Sequence, residues 1–388
     1  MKVLHTSDWH VGKRLERYDR LDEHSAVIAE VADLAAAEAV DLVLHSGDLF
    51  DRPVPPVEAL RLGLLGLVRL ADAGRRPVVV VAGNHDSPDL FETLAPFLAP
   101  FGIHLVGRIK PPDDGGVIAL ATGSGTAHIA CFPFLRAAQV VDFMASTDSW
   151  YGVYADRVRK VSESYATALA AAARPGDATF LVGHFMVGGV KVDTSAPRGE
   201  RDLHIGQAYA ATEAAVPASL DYVALGHIHA PQPVPGALVP AEYAGSLLQL
   251  DFGEAGETKR VVIVETSPGA PAAVRSVPLQ AGRRLIRAAG SWDELAGRSD
   301  LDAGFLDLTV TTAGPEPDLM DRARERFPLV VKVRAEYPRS ISARRITTGR
   351  PWGELYTEYH AEAHAAPPEP ALLALFEEIR VEVTDAAP

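Results

Sequence analysis

The chain has 388 residues, 47% of them hydrophobic, with a formal net charge of −14 and a single cysteine. That length suits two or three domains with sizeable cores. No apolar run approaches the roughly 18 residues of a membrane span, and one cysteine excludes an internal disulfide framework and fits a reducing compartment.

The acidic charge taken alone argues against a nucleic-acid partner. The argument is weak, because bound metal would neutralise several carboxylates and a local basic strip is enough to grip phosphates. Cys131 stands in the apolar run Ile129-Ala130-Cys131-Phe132, so an inert core thiol is expected rather than a reactive one. The N-terminus does not read as a signal peptide, because Asp8 and His10 belong to the motif pattern described below, and the expected location is cytoplasmic.

In chain order, residues 2–7 read as a strand, 21–39 as a helix, 41–46 as a strand, 56–72 as a helix, 77–82 as a strand and 89–98 as a helix. Strands alternating with helices imply a layered α/β core, and the loops after its strands are where active sites of such sheets lie. Residues 116–132 read as two strands around Gly123-Ser124-Gly125, and 151–173 as an Ala-rich helix ending near Pro175-Gly176. Strands follow at 178–183, 221–225, 241–245 and 258–265. A second sheet packed on the first gives the expected architecture, a four-layer α-β-β-α sandwich over residues 1–268.

The segment Thr266-Ser267-Pro268-Gly269-Ala270-Pro271 is a composition break and reads as a linker. Beyond it, strand-like alternation at 305–311 and 329–336 flanks a helical stretch at 316–326, a small α+β capping domain over 272–360. It carries no ligand-type cluster and reads as a cap or recognition domain. Residues 361–371 read as a second linker. The last segment, 367–388, places Leu372, Leu373, Leu375, Phe376, Ile379 and Val383 near helical spacing. It is expected either to dock a partner or to pack on its own domain.

The chemistry lies at the strand ends. Asp8-Trp9-His10, Gly47-Asp48, Gly83-Asn84-His85, Gly183-His184 and Gly226-His227-Ile228-His229 each follow an apolar, β-branched run. Asp-x-His on a strand exit lets a carboxylate and an imidazole share one cation. Asp48 offers two oxygens and can bridge two cations; Asn84 offers a neutral oxygen; His184 and His227 offer nitrogens. His229 points the same way as His227 if the backbone stays extended. The glycines before Asp48, Asn84, His184 and His227 suit turns of positive φ or close backbone approach.

Any single piece has a bland explanation, as a turn carboxylate or a satisfied core histidine. Five pieces, each at a strand exit, are not a coincidence. A mixed His and carboxylate set without thiolates favours Mn²⁺, Fe²⁺ or Zn²⁺ over Ca²⁺. Two such ions about 3.5–4 Å apart activate a water and stabilise a displaced oxygen. His85 should point away from the metal of Asn84, which makes it a general acid or phosphate-orienting group, or else a packing residue. Lys13, Arg14, Arg17 and Arg20 form a basic strip just after the first ligand pair, suited to phosphate contact or simply to solvation. Arg52 is a further phosphate-contact candidate beside the second cluster.

Together these motifs resemble the calcineurin-like metallophosphoesterase superfamily, whose pattern is D-x-H, G-D-x-x-D, G-N-H-[D/E], G-H and G-H-x-H. Every element stands here in order, including Asp51 and Asp86. Residues 4–13, 46–53 and 221–229 with Tyr243-Ala244-Gly245-Ser246 also resemble the SbcD-type nucleases, although the likeness weakens after residue 280.

That resemblance implies two divalent ions, Mn²⁺ first, with Mg²⁺, Fe²⁺ or Zn²⁺ as alternatives. One would be held by Asp8, His10, Asp48 and His229, the other by Asp48, Asn84, His184 and His227, with Asp48 as the bridge. His85 would orient the scissile phosphate or protonate the leaving oxygen. Asp51 and Asp86 would fix ligand geometry, or be ordinary loop carboxylates.

The implied reaction is in-line hydrolysis of a DNA phosphodiester with no covalent enzyme intermediate. It takes the form of 3′-strand exonuclease action on duplex ends and endonuclease action on single strands and hairpins. The alternative, a metallophosphodiesterase acting on small molecules such as cyclic nucleotides, would share every ligand. The resemblance also implies a homodimer. The stretch 60–70 is apolar around most of its circumference and is expected to bury more than one face, in a homodimer contact with Phe91, Leu94, Phe97 and Leu98 or else as a helix buried deep in one subunit. The resemblance further implies an SbcC-type ABC ATPase with a coiled coil as partner. The chain has no G-x-x-x-x-G-K-[ST] pattern, so any ATP dependence comes from that partner.

Overall fold

The computed structural model describes residues 1–135, 147–190, 210–212, 215–338 and 350–385. They fall into two compact units, Met1–Arg283 and Arg284–Pro388. The first unit runs β1 (Lys2–Thr6), α1 (Leu21–Ala37), β2 (Leu42–His45), α2 (Val57–Ala71), β3 (Val78–Val81), α3 (Pro88–Leu98), β4 (Ile103–Val106), β5 (Val117–Thr122), β6 (Gly125–Phe132) and α4 (Thr147–Ala172). It continues through β7 (Ala178–His184), β8 (Met186–Val187), β9 (Ala210–Ala211), β10 (Tyr222–Gly226), β11 (Gln232–Pro233), β12 (Ala241–Tyr243), β13 (Arg260–Ser267) and β14 (Ala270–Pro278).

These strands form two six-stranded sheets, in the orders β14-β13-β1-β2-β3-β4 and β11-β12-β10-β7-β6-β5. The pairs β1–β2, β2–β3 and β7–β10 are parallel, so the strand ends that carry the candidate ligands lie along one edge of each sheet. The central strands are buried on both faces, which is why they read as unbroken apolar runs.

Alternation along each strand then assigns every residue to a layer. Val3, Leu42, Leu44, Val79 and Val81 meet Ile129, Cys131, Phe180, Val182 and Ala224 in a core between the sheets. Leu4, Val43, Val78 and Val80 face outward onto α1, α2 and α3. Leu181, Val223 and Leu225 face outward onto Tyr154, Val158, Tyr165 and Leu169 of α4. The result is the expected α-β-β-α sandwich.

Cys131 is buried in the central core, and burial pushes its thiol up to about 12, as an inert cysteine requires. Within that core His5 on β1 contacts the Tyr222 hydroxyl of the other sheet at 2.9 Å through Nδ1 and the Ser46 hydroxyl at 2.8 Å through Nε2.

The expected linker at 266–271 is instead the turn of a hairpin. β13 and β14 pair antiparallel from Arg260↔Pro278 to Ser267↔Ala270, with Gly269 at φ +74° in the turn. Turns and linkers share Pro, Gly and Ser, so composition did not separate them. The first unit therefore ends at Arg283 and not at residue 268.

The second unit holds β15 (Leu285–Ser291), α5 (Trp292–Ala296), β16 (Phe305–Thr311), α6 (Leu319–Arg326) and β17 (Val330–Glu336), with the three strands parallel in that order. Leu306, Leu308 and Val310 pack on Leu295, Leu319, Ala323 and Phe327, so one sheet face is covered by the helices. The expected module thus gains a third strand at its start. Two further helices, α7 (Trp352–His364) and α8 (Pro370–Asp385), form an antiparallel hairpin in which the Tyr356 and Phe376 rings stack at 4.1 Å. Residues 361–364, expected as linker, close α7. Residues 339–349 of the expected cap and 386–388 of the expected terminal helix lie outside the described residues.

α2 buries one face, not several. Ala59, Gly63, Gly66, Leu67 and Leu70 are buried, while Leu65 and Val68 remain exposed. Gly63 and Gly66 make a notch: a Cβ at Gly63 would lie 2.6 Å from the Phe50 ring, and one at Gly66 would lie 2.6 Å from Ile28 and 3.1 Å from the Trp9 ring. Phe91 and Leu98, expected in a dimer contact, belong to this unit's own core. Phe97 is exposed and Leu94 only partly buried.

Candidate metal centre

The loops after β1 and β2 continue side by side beyond the sheet. The Asp8 N–H donates to the Gly47 carbonyl at 2.9 Å, His10 to Asp48 at 3.0 Å and Val11 to Leu49 at 3.0 Å. This extension carries both loops toward the ends of β7 and β10 in the other sheet. Glycines make the convergence possible. A Cβ at Gly47 would lie 2.3 Å from His184 Nδ1, one at Gly83 2.1 Å from Asp48 Oδ1, and one at Gly226 2.2 Å from the Ser46 carbonyl.

The backbone is strained where the donors sit. Asp8 (φ 49°), His10 (φ 44°), Asp48 (φ 52°) and His227 (φ 93°) all occupy positive φ without being glycine. Each such residue costs of the order of 1–3 kcal/mol and persists where surroundings over-determine it, typically at functional sites. The turn at His227 also overturns the expectation that His227 and His229 point the same way. The backbone is not extended there, and the two rings diverge to different neighbours.

Those neighbours define two groups of donors. His10 Nε2 lies 3.1 Å from His229 Nε2, and Asp8, His10 and His229 gather within reach of one ion. His184 Nε2 and His227 Nδ1 each lie 2.9 Å from Asn84 Oδ1. Asp48 Oδ2 stands between the groups, 3.5 Å from His10 Nε2 and 3.3 Å from His184 Nε2. Donors on adjacent coordination positions with bonds of about 2.1 Å are separated by about 3 Å, so the spacing suits shared cations.

The donor chemistry makes the same point more strongly. His184 Nδ1 lies 2.8 Å from the Ser46 carbonyl, which can only accept, so the ring is protonated at Nδ1. In the neutral ring its Nε2 lone pair then faces the acceptors Asn84 Oδ1 and Asp48 Oδ2. His229 Nδ1 likewise faces the Glu254 carboxylate at 2.9 Å, so its Nε2 lone pair faces His10. Lone pairs aimed at acceptors repel unless a positive charge lies between them. Burial opposes charge on His184, yet the Asp48 and Asp8 carboxylates outweigh it and raise the ring to about 9. Burial would also raise Asp48, but His184 and His10 hold its carboxyl well below the usual range. The residues fit divalent cations.

The neighbouring residues sort into distinct positions. The half-buried His85 donates its backbone N–H to Asp48 Oδ1 at 2.8 Å, and its Nδ1 lies 2.9 Å from the Asp51 carbonyl. Its ring meets His10 edge-on at 4.7 Å. The Asp51 carboxylate lies 3.8 Å from His10 Nδ1 and 3.2 Å from Lys13 Nζ. Burial would raise it, but His10 and Lys13 hold it below the ordinary carboxylate range. Asp86 is fully buried and accepts N–H groups of Gly83 at 2.9 Å, Phe50 at 3.0 Å and Leu49 at 3.1 Å. It ties the loop after β3 to the loop after β2. Burial and the Asp48 charge push it up to about 7.

The basic strip divides. Arg14 and Arg17 are exposed, with Arg14 donating to the Arg17 carbonyl at 2.8 Å and Arg17 to the Tyr18 hydroxyl at 2.7 Å. Lys13 is half-buried on Asp51, and Arg52 is exposed, 4.0 Å from Asp51. Arg20 departs from the expectation. It is 1% exposed, pairs with Glu23 at 2.6 Å and donates to the Gln249 carbonyl at 2.5 Å, so it is a core residue with no access to a phosphate.

Two contributors carry no sequence signal of their own: Glu254, which lies 25 positions after His229, and Phe134, whose ring lies 6.1 Å from His184 and 5.9 Å from His227. Neither stands in a motif.

A calcineurin-like phosphoesterase family profile matches residues 1–231, the segment that supplies every candidate metal donor named above; Glu254 lies beyond it. The chain is similar to the SbcD polypeptide of the nuclease SbcCD from Bacillus subtilis, 32% identical over 351 residues, which covers 86% of this chain and 85% of that one. The Rhodobacter capsulatus protein of the same name is 30% identical over 355 residues, 85% of each chain. That of Escherichia coli K12 is 30% identical over 283 residues, 69% of this chain and 66% of that one.

Proposed function

Because the chain belongs to the calcineurin-like phosphoesterase family and, within it, to the SbcD-type nuclease subunits, we propose that it is the metal-dependent nuclease subunit of an SbcC-type ATPase complex acting on DNA ends. The observation that supports this reading is the convergence of His and Asn side chains from two sheets around the Asp48 carboxylate, 3.5 Å from His10 Nε2 and 3.3 Å from His184 Nε2. We assign Asp8, His10, Asp48 and His229 to one ion and Asp48, Asn84, His184 and His227 to the other. Mn²⁺ suits this mixed nitrogen and oxygen set.

When bound, the ions supply an activated water and charge stabilisation at the displaced oxygen. The chain supplies the geometry. The Asp51 carbonyl accepts from His85 Nδ1–H, which fixes the ring and leaves Nε2 for substrate. With Nε2 protonated as well, His85 hydrogen-bonds a phosphate oxygen of the bound strand or gives that proton to the leaving oxygen. Lys13, Arg14, Arg17 and Arg52 are the residues proposed to meet flanking phosphates, and the capping module of the second unit is proposed as the DNA-recognition element. The activities follow the family: exonuclease action on the 3′ strand of duplex ends, and endonuclease action on single strands and hairpins.

The partner-docking element is the α7–α8 hairpin, where Leu372, Leu375 and Ile379 remain exposed on α8. A homodimer contact is supported by the exposed Leu65 and Val68 of α2 with Phe97 of α3. Among the described residues no helix is long and apolar enough to cross a membrane, and we place the protein in the cytoplasm.

The test is cleavage of end-labelled duplex and hairpin DNA in Mn²⁺, run beside a cyclic nucleotide. DNA cleavage lost on chelation and restored by Mn²⁺ is expected. Intact DNA together with brisk cyclic-nucleotide turnover would overturn the assignment.

A further inference from the structure

His229 is held by a segment outside the family-matched region. Glu254 ends a single turn, Phe252–Glu254, and is almost wholly buried. Its Oε1 lies 2.9 Å from His229 Nδ1. Its Oε2 lies 2.7 Å from Lys259 Nζ, accepts the Leu250 N–H at 3.0 Å and meets the Ser246 hydroxyl at 3.3 Å. Lys259 is also buried, and its ammonium donates to the His229 carbonyl at 3.1 Å and to Glu257 at 2.7 Å. The Ser246 N–H reaches the same carbonyl at 3.2 Å. His229 is therefore gripped at both ring and backbone.

A buried ion pair is a weak source of stability, because desolvation offsets the attraction. A loop closed only for packing has no need of one. It becomes understandable when one of its oxygens accepts from a metal-facing imidazole, since that hydrogen bond sets tautomer and ring orientation.

We propose that Glu254, anchored by Lys259, is a positioning residue of the metal centre. It holds His229 as the Nδ1–H tautomer and aims Nε2 at the ion shared with Asp8, His10 and Asp48. The second ion's imidazoles are positioned differently. His184 donates Nδ1–H to the Ser46 carbonyl, and His227 faces Asn84 through Nδ1 itself. Loss of Glu254 should thus weaken one ion and spare the other. This inference rests on the two-ion reading above.

The test is Mn²⁺ titration of the full chain, wild type and Glu254→Gln, with free ion followed by electron paramagnetic resonance. Two equivalents bind the wild type. In the variant one equivalent is expected to bind about 10- to 100-fold more weakly and the other as before. A purely structural role would lower the melting temperature and leave both affinities unchanged, which would overturn the proposal. If the wild type binds no Mn²⁺, the two-ion reading fails instead. Should the variant not fold, nitrogen chemical shifts of His229 in the metal-free wild type decide: an Nδ1–H tautomer supports the proposal, and an Nε2–H tautomer contradicts it.

Discussion

Gly47 faces the His184 ring so closely that a β-carbon on it would sit 2.3 Å from Nδ1. One residue follows β2 of the first sheet and the other ends β7 of the second, so this approach sets how near the two ligand-bearing edges come. Gly47 also sits at φ +105°, a conformation that L side chains rarely adopt. Gly47→Ala should lower stability by about 1–3 kcal/mol from backbone strain alone and displace His184 from Asn84 and Asp48. Urea denaturation with Mn²⁺ titration checks it; unchanged stability and metal affinity would show that the sheets tolerate a wider gap.

His85 touches Asp48 through its backbone and Asp51 through its ring, and neither of these bonds needs its Nε2. His85→Ala should therefore retain both equivalents of Mn²⁺ and bind DNA. Cleavage should fall by about 10²–10⁴-fold, the range for loss of a positioned acid or base. Single-turnover cleavage of a labelled hairpin reads the effect, and a rate near wild type would remove His85 from the chemistry.

Arg20 and Arg17 stand three residues apart and should behave in opposite ways. Arg20→Ala takes the guanidinium from Oε2 of the buried Glu23, whose Oε1 still accepts the Arg283 N–H at 2.6 Å, and should cost about 3–5 kcal/mol of stability. Arg14→Ala with Arg17→Ala should leave stability near wild type. It should weaken DNA binding and make its salt dependence shallower by about 0.9 in log–log slope for each duplex phosphate no longer neutralised. If stability loss followed Arg17 and salt sensitivity followed Arg20, the division of the strip would be wrong.

The exposed apolar residues of α8 should matter only to assembly. Leu375→Asp with Ile379→Asp should abolish pull-down of the SbcC-type partner and leave hairpin cleavage by the free subunit unchanged. Retained pull-down would move docking away from this hairpin.

The candidate metal centre is legible in the sequence because most of its candidate ligands stand at the end of a strand buried on both faces. Such strands appear as apolar runs, so Asp8, Asp48, Asn84, His184 and His227 stand out at their ends. What could not be read was conformation. The positive φ of His227 separates it from His229, yet a non-glycine residue gives no sign of that state. Arg20 looks like Arg17 in a string of charges, and only Glu23 and the Gln249 carbonyl show it to be internal.

Boundaries failed where one composition serves two structures. Pro268-Gly269 turns a hairpin as readily as it opens a linker. Glu254 lay beyond reach for a different reason. A carboxylate that acts through a histidine has no required spacing from it, so proximity alone reveals it.

Anomalous diffraction from crystals grown with Mn²⁺ will show whether Asp48 bridges two ions. Two peaks about 3.5–4 Å apart are expected on either side of Asp48, one against Asp8, His10 and His229 and the other against Asn84, His184 and His227. A single peak, or peaks not shared by Asp48, would contradict the bridging role.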